Sequence, residues 1–421
     1  MSVVKFVEIG YKPKKDKEII ATFYVEPRGV SFQEAADAVA GESSIGSWTE
    51  LQTLNPKLAE KLKARVFFAN EKKKIIKVAY PLDLFERGSI PQLLSSIGGN
   101  IYGMKLIKNL RWEDIEFPVK YSASFKGPAF GIDGIRKILK IKGRVILGSI
   151  IKPKVGLTAA QQAKLSAAVW LNGIDLVKDD ENLTNMSFNR FADRVKKVLY
   201  WKKKVEKETK QKKVYACNIT APPEQMLERA KLVKKLGGKC VMVDIVSTGL
   251  DNVQYLRKKN LGLIIHGHRA GHALFTRNKK HGMSMLVIAK LARLAGVDQL
   301  HTGTVVGKME GDREDVLTVN QLMKEDWKSH NIVKEDWSKI KPVLPIASGG
   351  LHPGLLPKLV EILGINLIAN FGAGIHGHPD GSVAGARACR QAVQAIERGV
   401  KLKEYSEDHE ELARALQFWK K

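Results

Sequence analysis

Lys178-Asp179-Asp180-Glu181 puts one amine and three carboxylates directly after the apolar run Gly173-Ile174-Asp175-Leu176-Val177. Alone, such a charged tetrapeptide reads as a solvated turn. Here it ends a buried strand, and the C-terminal ends of parallel strands are where α/β folds gather their chemistry. Asp180 and Glu181 offer hard oxygen ligands suited to Mg²⁺, but two carboxylates leave such a site incomplete. Lys178 completes it only as an anion. A neutral amine adds CO₂ to give a carbamate, and burial favours the neutral amine. A second apolar run, residues 145–151, ends in Lys152-Pro153-Lys154, so cations and anions collect at one rim.

Other candidate groups lie at the ends of later strands. His266-x-His268 has the spacing of a zinc pair, but Arg269 beside it is a cation that zinc does not need and a phosphate does. His266 fits a buried, hydrogen-bonded core histidine. Thr304-Val305-Val306-Gly307-Lys308-Met309-Glu310-Gly311 sets one lysine between glycines, the pattern of a hinged lid with a functional tip. Ser348-Gly349-Gly350 and Gly372-Ala373-Gly374 are turns of the kind that cradle phosphate after the last strands of a barrel.

The elements that must position these groups fall into two parts. Residues 1–127 read as an α+β domain: strands near 19–25, 75–80 and 102–110, a helix from Ser31 to Ala40 with Glu34 in a capping-box position, and a short helix at 90–97. Two polar clusters there, 41–49 and 98–103, have no evident local role. Residues 128–421 alternate strands and helices. A linking helix near 132–141 precedes strands at 145–151, 173–177, 214–219, 240–245, 261–266, 299–301, 343–347 and 366–370. Thr158 caps a helix that ends at Gly173, and Met226, Ala230, Val233 and Val287, Leu291, Leu294 mark apolar helix faces. Eight such units predict a C-terminal (β/α)8 TIM barrel within an α/β chain. A doubly wound sheet is the alternative, but Lys152-Pro153-Lys154-Val155-Gly156 is not a dinucleotide-binding glycine fingerprint.

Composition narrows the function classes. The net charge of +26 raises nucleic-acid binding, but the lysine runs lack interleaved aromatics or an RNA-binding signature. A basic surface that steers a sugar phosphate is the reading adopted, without specific nucleic-acid binding. Cys217, Cys240 and Cys389 form no Cys-x-x-Cys pair and read as buried thiols of a reducing cytoplasm. No run approaches a membrane span and the first ten residues lack a signal-peptide core, so a cytoplasmic protein without a membrane partner is expected.

Four motifs in order, 148–156, 173–182, 266–272 and 301–311, resemble the large chain of ribulose-1,5-bisphosphate carboxylase/oxygenase (Rubisco), and the likeness runs through nearly the whole chain. The resemblance implies a ferredoxin-like N-terminal domain that reaches into the partner subunit's active site. It casts Lys178 as a carbamylated lysine that binds Mg²⁺ with Asp180 and Glu181, and Lys152 as the proton shuttle at C2. His268 faces the substrate, Arg269 and His301 hold the C5 phosphate, and Lys308 steadies the new carboxylate. Lys154, Ser348, Gly349, Gly350, Gly372 and Ala373 become substrate contacts. From the first domain, Glu42 pairs with the lid lysine, Ser47 and Trp48 touch phosphate, and Asn100 neighbours the metal.

The implied reaction joins CO₂ to ribulose 1,5-bisphosphate through an enediolate to give two 3-phosphoglycerates, with O₂ as a competing substrate. The absence of a plant-type C-terminal tail is similar to the archaeal form III group, which implies AMP-ribose salvage, a homodimer or assembly of dimers, and no small subunit. The alternative is a Rubisco-like enolase or isomerase acting on another sugar phosphate. Gly271, where methionine is usual, and Ala373, where glycine is usual, depart from the family pattern.

Overall fold

A computed structural model describes residues 4–46, 53–307, 312–325 and 334–420. The chain forms two compact units: Met1–Lys126 with Gly271–Ala295 and Val333–Ile340, and Gly127–Ala270 with Gly296–Ile332 and Lys341–Lys421.

The first unit is built on a mixed five-stranded sheet. Glu18–Pro27 lies between Ile75–Pro81 and Ile107–Glu116, antiparallel to both. Arg65–Asn70 flanks one side and Gly282–Met283 adds a parallel edge on the other. The helix Phe32–Glu42 starts as expected, with Ser31 and Glu34 in a reciprocal capping box. The strand expected at 102–110 instead runs Ile107–Glu116, after a 3-10 turn at Ile101–Gly103. Arg111, Glu113 and Asp114 mask it in the sequence. In the fold these charges find partners: Arg111 donates to Thr276 O at 3.1 Å and Asp114 accepts from Lys290 at 2.5 Å, leaving Leu110, Trp112 and Ile115 fully buried.

The second unit is a closed barrel of eight parallel strands. In chain order they are Ile146–Ile150, Leu176–Lys178, Val214–Asn218, Cys240–Asp244, Ile264–His268, Gln299–His301, Leu344–Ser348 and Ile368–Phe371. Ile146, Leu176, Val214, Ala216, Cys240, Met242, Ile264, Leu344, Ile346 and Ile368 share one apolar cluster. The helix Gly131–Leu139 adds Ile132, Ile135 and Leu139 to that cluster, so its apolar stripe is buried against the strands. Ala159–Leu171 carries the Thr158–Gln161 capping box, and Met226, Ala230 and Val233 are the buried face of Pro223–Lys235. All three cysteines are free and buried. Among the described residues no helix is long and apolar enough to cross a membrane.

Candidate active site

Side chains along a strand alternate faces, so the inward set of each barrel strand recurs every second residue. Continuing that period from the apolar cluster reaches Lys178, Asn218, Asp244, His266 and His268, His301, Ser348 and Asn370. The inward stripe thus turns from apolar to polar at the C-terminal ends of six strands, and on Gln299–His301 it is polar throughout. Such a layer is the expected location of a barrel's chemistry.

Lys178 is wholly buried, with Nζ 3.3 Å from Glu181 Oε2. Burial drives its amine below the usual lysine range against the pull of Glu181 and Asp180. Lys152 Nζ donates to Asp180 Oδ2 at 2.7 Å, and Asn182 holds Oδ1 through its backbone and side-chain N–H groups. Burial alone would raise the Asp180 carboxyl, but these bonds from Lys152 and Asn182 hold it below its ordinary value. Gly372 leaves room for Lys152, since a Cβ there would stand 3.2 Å from Lys152 Cε. Lys154 is exposed on the same turn.

Asp179, the remaining carboxylate of the tetrapeptide, points away into the protein. It accepts from Gln162 Nε2 and Tyr215 Oη, both at 2.6 Å, from Asn218 N at 2.9 Å and from Arg194 Nε at 3.1 Å. Asn218 Nδ2 in turn donates to Glu181 O at 2.9 Å. The loop bearing Asp180 and Glu181 is therefore fastened from below and from the third strand.

Among the described residues no three His, Cys, Asp or Glu side chains are arranged to hold a metal ion. Asp180 and Glu181 supply two anionic arms, and the third group between them is an amine. A third anionic group at Lys178, such as a carbamate on its amine, would complete a donor set that fits Mg²⁺.

His268 Nε2 lies 3.5 Å from Glu181 Oε2, and its Nδ1 accepts from Ala270 N at 3.2 Å. Asp244 Oδ1, 3.3 Å from that Nδ1, is buried without a hydrogen-bond donor. His266 is wholly buried and joined to Gln299 and His301, as a core histidine should be. His301 Nδ1 pairs with Ser348 Oγ at 2.9 Å. The Arg269 guanidinium packs over Gly303, where a Cβ would come within 2.8 Å of Nη2. Burial lowers Arg269 to about 10 and it stays a cation near neutrality. Gly349 and Gly350 have φ of +108° and +65°, so the turn after Ser348 needs glycine at both. Ala373 is exposed beside Gly372.

Glu42 and Asn100 meet in the first unit, Asn100 Nδ2 donating to Glu42 Oε1 at 3.2 Å. Ser47, Trp48 and Lys308 lie outside the described residues. Gly271 has φ +83°, a backbone state suited to glycine and strained for the methionine usual at that position.

Asn218, Asp244, Gln299 and His376 are the groups that motif reading did not select. The first three sit at every-second-residue positions of their strands, and that period was the available signal. His376 bridges Ser149 Oγ at 3.1 Å and Ser382 Oγ at 2.9 Å, joining the first barrel strand to the helix Gly381–Arg398, and no local pattern announces it.

Residues 131–419 match the family model of the ribulose bisphosphate carboxylase large chain, catalytic domain, and residues 5–121 match that of its N-terminal domain. The chain is 48% identical over 424 residues to the ribulose bisphosphate carboxylase of Methanosarcina mazei, covering 99% of each chain. It is 48% identical over 418 residues to that of Pyrococcus furiosus, covering 98% of this chain and 97% of the relative. Octameric Rubisco of Pyrococcus horikoshii superposes with a TM-score of 0.92 at 46% identity, over 98% of this chain and 96% of that one. Dimeric Rubisco of Hyperthermus butylicus gives 0.91 at 46% identity, over 98% of both. With both domain models matched in order and archaeal relatives aligned end to end, the chain belongs to the ribulose bisphosphate carboxylase large-chain family.

Proposed function

We infer that this protein carboxylates, and as a side reaction oxygenates, ribulose 1,5-bisphosphate. The observation that carries the reading is the buried Lys178 amine at the end of the second barrel strand, flanked by Asp180 and Glu181. Full-length similarity to archaeal carboxylases supports it. Carbamylated Lys178 with Asp180 and Glu181 would hold Mg²⁺, which when bound polarises the substrate's C2 and C3 oxygens and eases removal of the C3 proton.

The chain's own residues do the rest. Lys152, held by Asp180, is placed to move protons at C2 and to protonate the final carbanion. Arg269 and Ser348 take up phosphate oxygens with the Gly349-Gly350 turn, His301 acting on the phosphate through its bond to Ser348, and Gly372 and Ala373 offer backbone N–H groups on the other side. His268, held by Ala270 N and facing Glu181, lines the substrate. Lys154 adds a cation at the mouth, and Lys308 steadies the carboxylate that CO₂ becomes. Water at C3 and cleavage of the C2–C3 bond then release two 3-phosphoglycerates.

In the same reading residues 1–127 form the domain that completes a partner's site with Glu42, Ser47, Trp48 and Asn100, and residues 128–421 form the catalytic barrel. The working protein is a homodimer or an assembly of dimers without a small subunit, of form III type, in the cytoplasm, and it serves AMP-ribose salvage. Dimeric and octameric archaeal Rubiscos of the same fold support the assembly.

The test is incorporation of labelled bicarbonate into 3-phosphoglycerate from ribulose 1,5-bisphosphate and Mg²⁺. Label that appears with wild type and vanishes with Lys178→Ala is the expected result. Binding of the bisphosphate with exchange of its C3 hydrogen into solvent, but no label fixed, would overturn it in favour of an enolase-type relative.

A further inference from the structure

Gln299, His266, His301 and Ser348 form one unbroken hydrogen-bonded chain along the inner wall of the barrel. Gln299 Oε1 lies 2.8 Å from His266 Nδ1, His266 Nε2 lies 2.9 Å from His301 Nε2, and His301 Nδ1 lies 2.9 Å from Ser348 Oγ. Gln299 and His266 are fully buried and His301 nearly so. Burial holds both imidazoles well below 6.5, so each carries a single proton near neutrality.

A neutral imidazole donates through one nitrogen and accepts through the other. A nitrogen–nitrogen contact holds one hydrogen, so the tautomers of the two rings are tied together. Two arrangements satisfy the chain. In the first, His266 Nδ1–H donates to the Gln299 carbonyl, His301 Nε2–H donates to His266 Nε2, and the Ser348 hydroxyl donates to His301 Nδ1. In the second, the Gln299 amide is turned over. Its Nε2–H donates to His266 Nδ1, His266 Nε2–H donates to His301 Nε2, and His301 Nδ1–H donates to Ser348 Oγ. Only the second frees the Ser348 hydroxyl hydrogen for a ligand.

The protein itself does little to choose between them. As placed, Gln299 Nε2 is buried with no acceptor. The first arrangement therefore leaves two amide N–H groups unmet, and the second leaves one N–H and the carbonyl oxygen unmet. An anion at Ser348 breaks the tie, because a phosphate oxygen accepts a hydrogen bond and repels a hydroxyl lone pair. Both nitrogens of His301 are already engaged, so its proton reaches a ligand only through Ser348.

We propose that Gln299 is a positioning residue that sets the polarity of this chain, and that a phosphate ester bound at Ser348 holds the arrangement in which the Gln299 amide donates and Ser348 gives its hydroxyl hydrogen to the phosphate. The change is charge-neutral, since each imidazole gives one proton to water and takes one back at its other nitrogen. The inference rests on the proposed sugar-bisphosphate site, but not on CO₂ fixation.

The test reads the tautomers directly, by nitrogen-15 spectra of histidine-labelled protein saturated with inorganic phosphate and, separately, with ribulose 1,5-bisphosphate. Ligand-bound protein is expected to show His266 protonated at Nε2 and His301 at Nδ1. Bound protein with His266 protonated at Nδ1 and His301 at Nε2 overturns the proposal. At pH 8, Gln299→Glu, an acceptor only, should raise KM for the bisphosphate at least tenfold with a smaller change in kcat, and Gln299→Met should raise it less. Equal KM in the two variants would mean a merely structural role and would also overturn it. Tautomers as expected without any CO₂ fixation would leave this inference standing and remove the carboxylase reading.

Discussion

The Lys178 amine lies 3.3 Å from Glu181 Oε2 with no exposed surface of its own, so the strand end carries a lysine that water cannot reach. A desolvated amine is poised to react as a base or nucleophile rather than to sit as a cation. Lys178→Ala should therefore abolish labelled-CO₂ fixation while the bisphosphate still binds, as measured by calorimetry with the substrate.

Lys152 and Asp180 are joined by a 2.7 Å bond, so the amine is held at one place in the pocket. Lys152→Met should lower carboxylation by about 10²–10⁴-fold, the range for loss of a positioned proton donor. Single-turnover kinetics should put the loss in the chemical steps, and an unchanged single-turnover rate would exclude the proton-shuttle role.

Asp179 accepts four hydrogen bonds in a fully buried setting, including one from Arg194. Removing one partner of a buried ion pair leaves the other charge uncompensated, at a cost of about 3–5 kcal/mol. Asp179→Asn should lose that much stability in urea unfolding, and should also slow catalysis because the loop holding Asp180 and Glu181 loses its anchor.

Lys290 is fully buried between Asp114, at 2.5 Å, and Glu335. Burial works against its charge, but the two carboxylates push it up to about 12. Burial raises Glu335 from 4.5 to about 7 despite Lys290. The folded carboxyl thus holds its proton more tightly than the unfolded one. The stability it contributes is complete below pH 4.5 and is lost as pH rises through about 7. Relative to wild type, Glu335→Gln should gain thermal stability between pH 5 and pH 8, and a difference in Tm that stays flat over that range would refute the assignment. Lys290→Met, which removes the shared cation of the half-buried Asp114 and Glu335, should also lower stability in urea unfolding.

Gly271 holds φ +83°, so Gly271→Met, which restores the residue usual in the family, should destabilise by about 1–3 kcal/mol through backbone strain. Chemical denaturation measures this, and a neutral or stabilising outcome would show that the backbone relaxes.

The sequence by itself determined the barrel and the position of its polar rim. Short strand-like runs, most of them cut off by charge, glycine or proline, state where strands end, and strand ends are where parallel barrels place their chemistry. Four long motifs were enough to show a likeness to Rubisco that the comparisons bear out. What the sequence could not express is pairing between distant residues. Asp179 and Asp180 are chemically identical neighbours, yet one turns inward to Arg194 and Tyr215 and the other outward to Lys152. The strand Ile107–Glu116 lies beyond the segment its sequence suggests, because its charges read as loop until Lys290 pairs with Asp114 and the Thr276 carbonyl accepts from Arg111. Gln299 looked like an unremarkable strand residue. Only the closing of the barrel sets it against His266, and only that contact ties the protons of two histidines and a serine together. Local pattern reports burial and direction, whereas hydrogen-bond partners across strands exist only once the chain has folded.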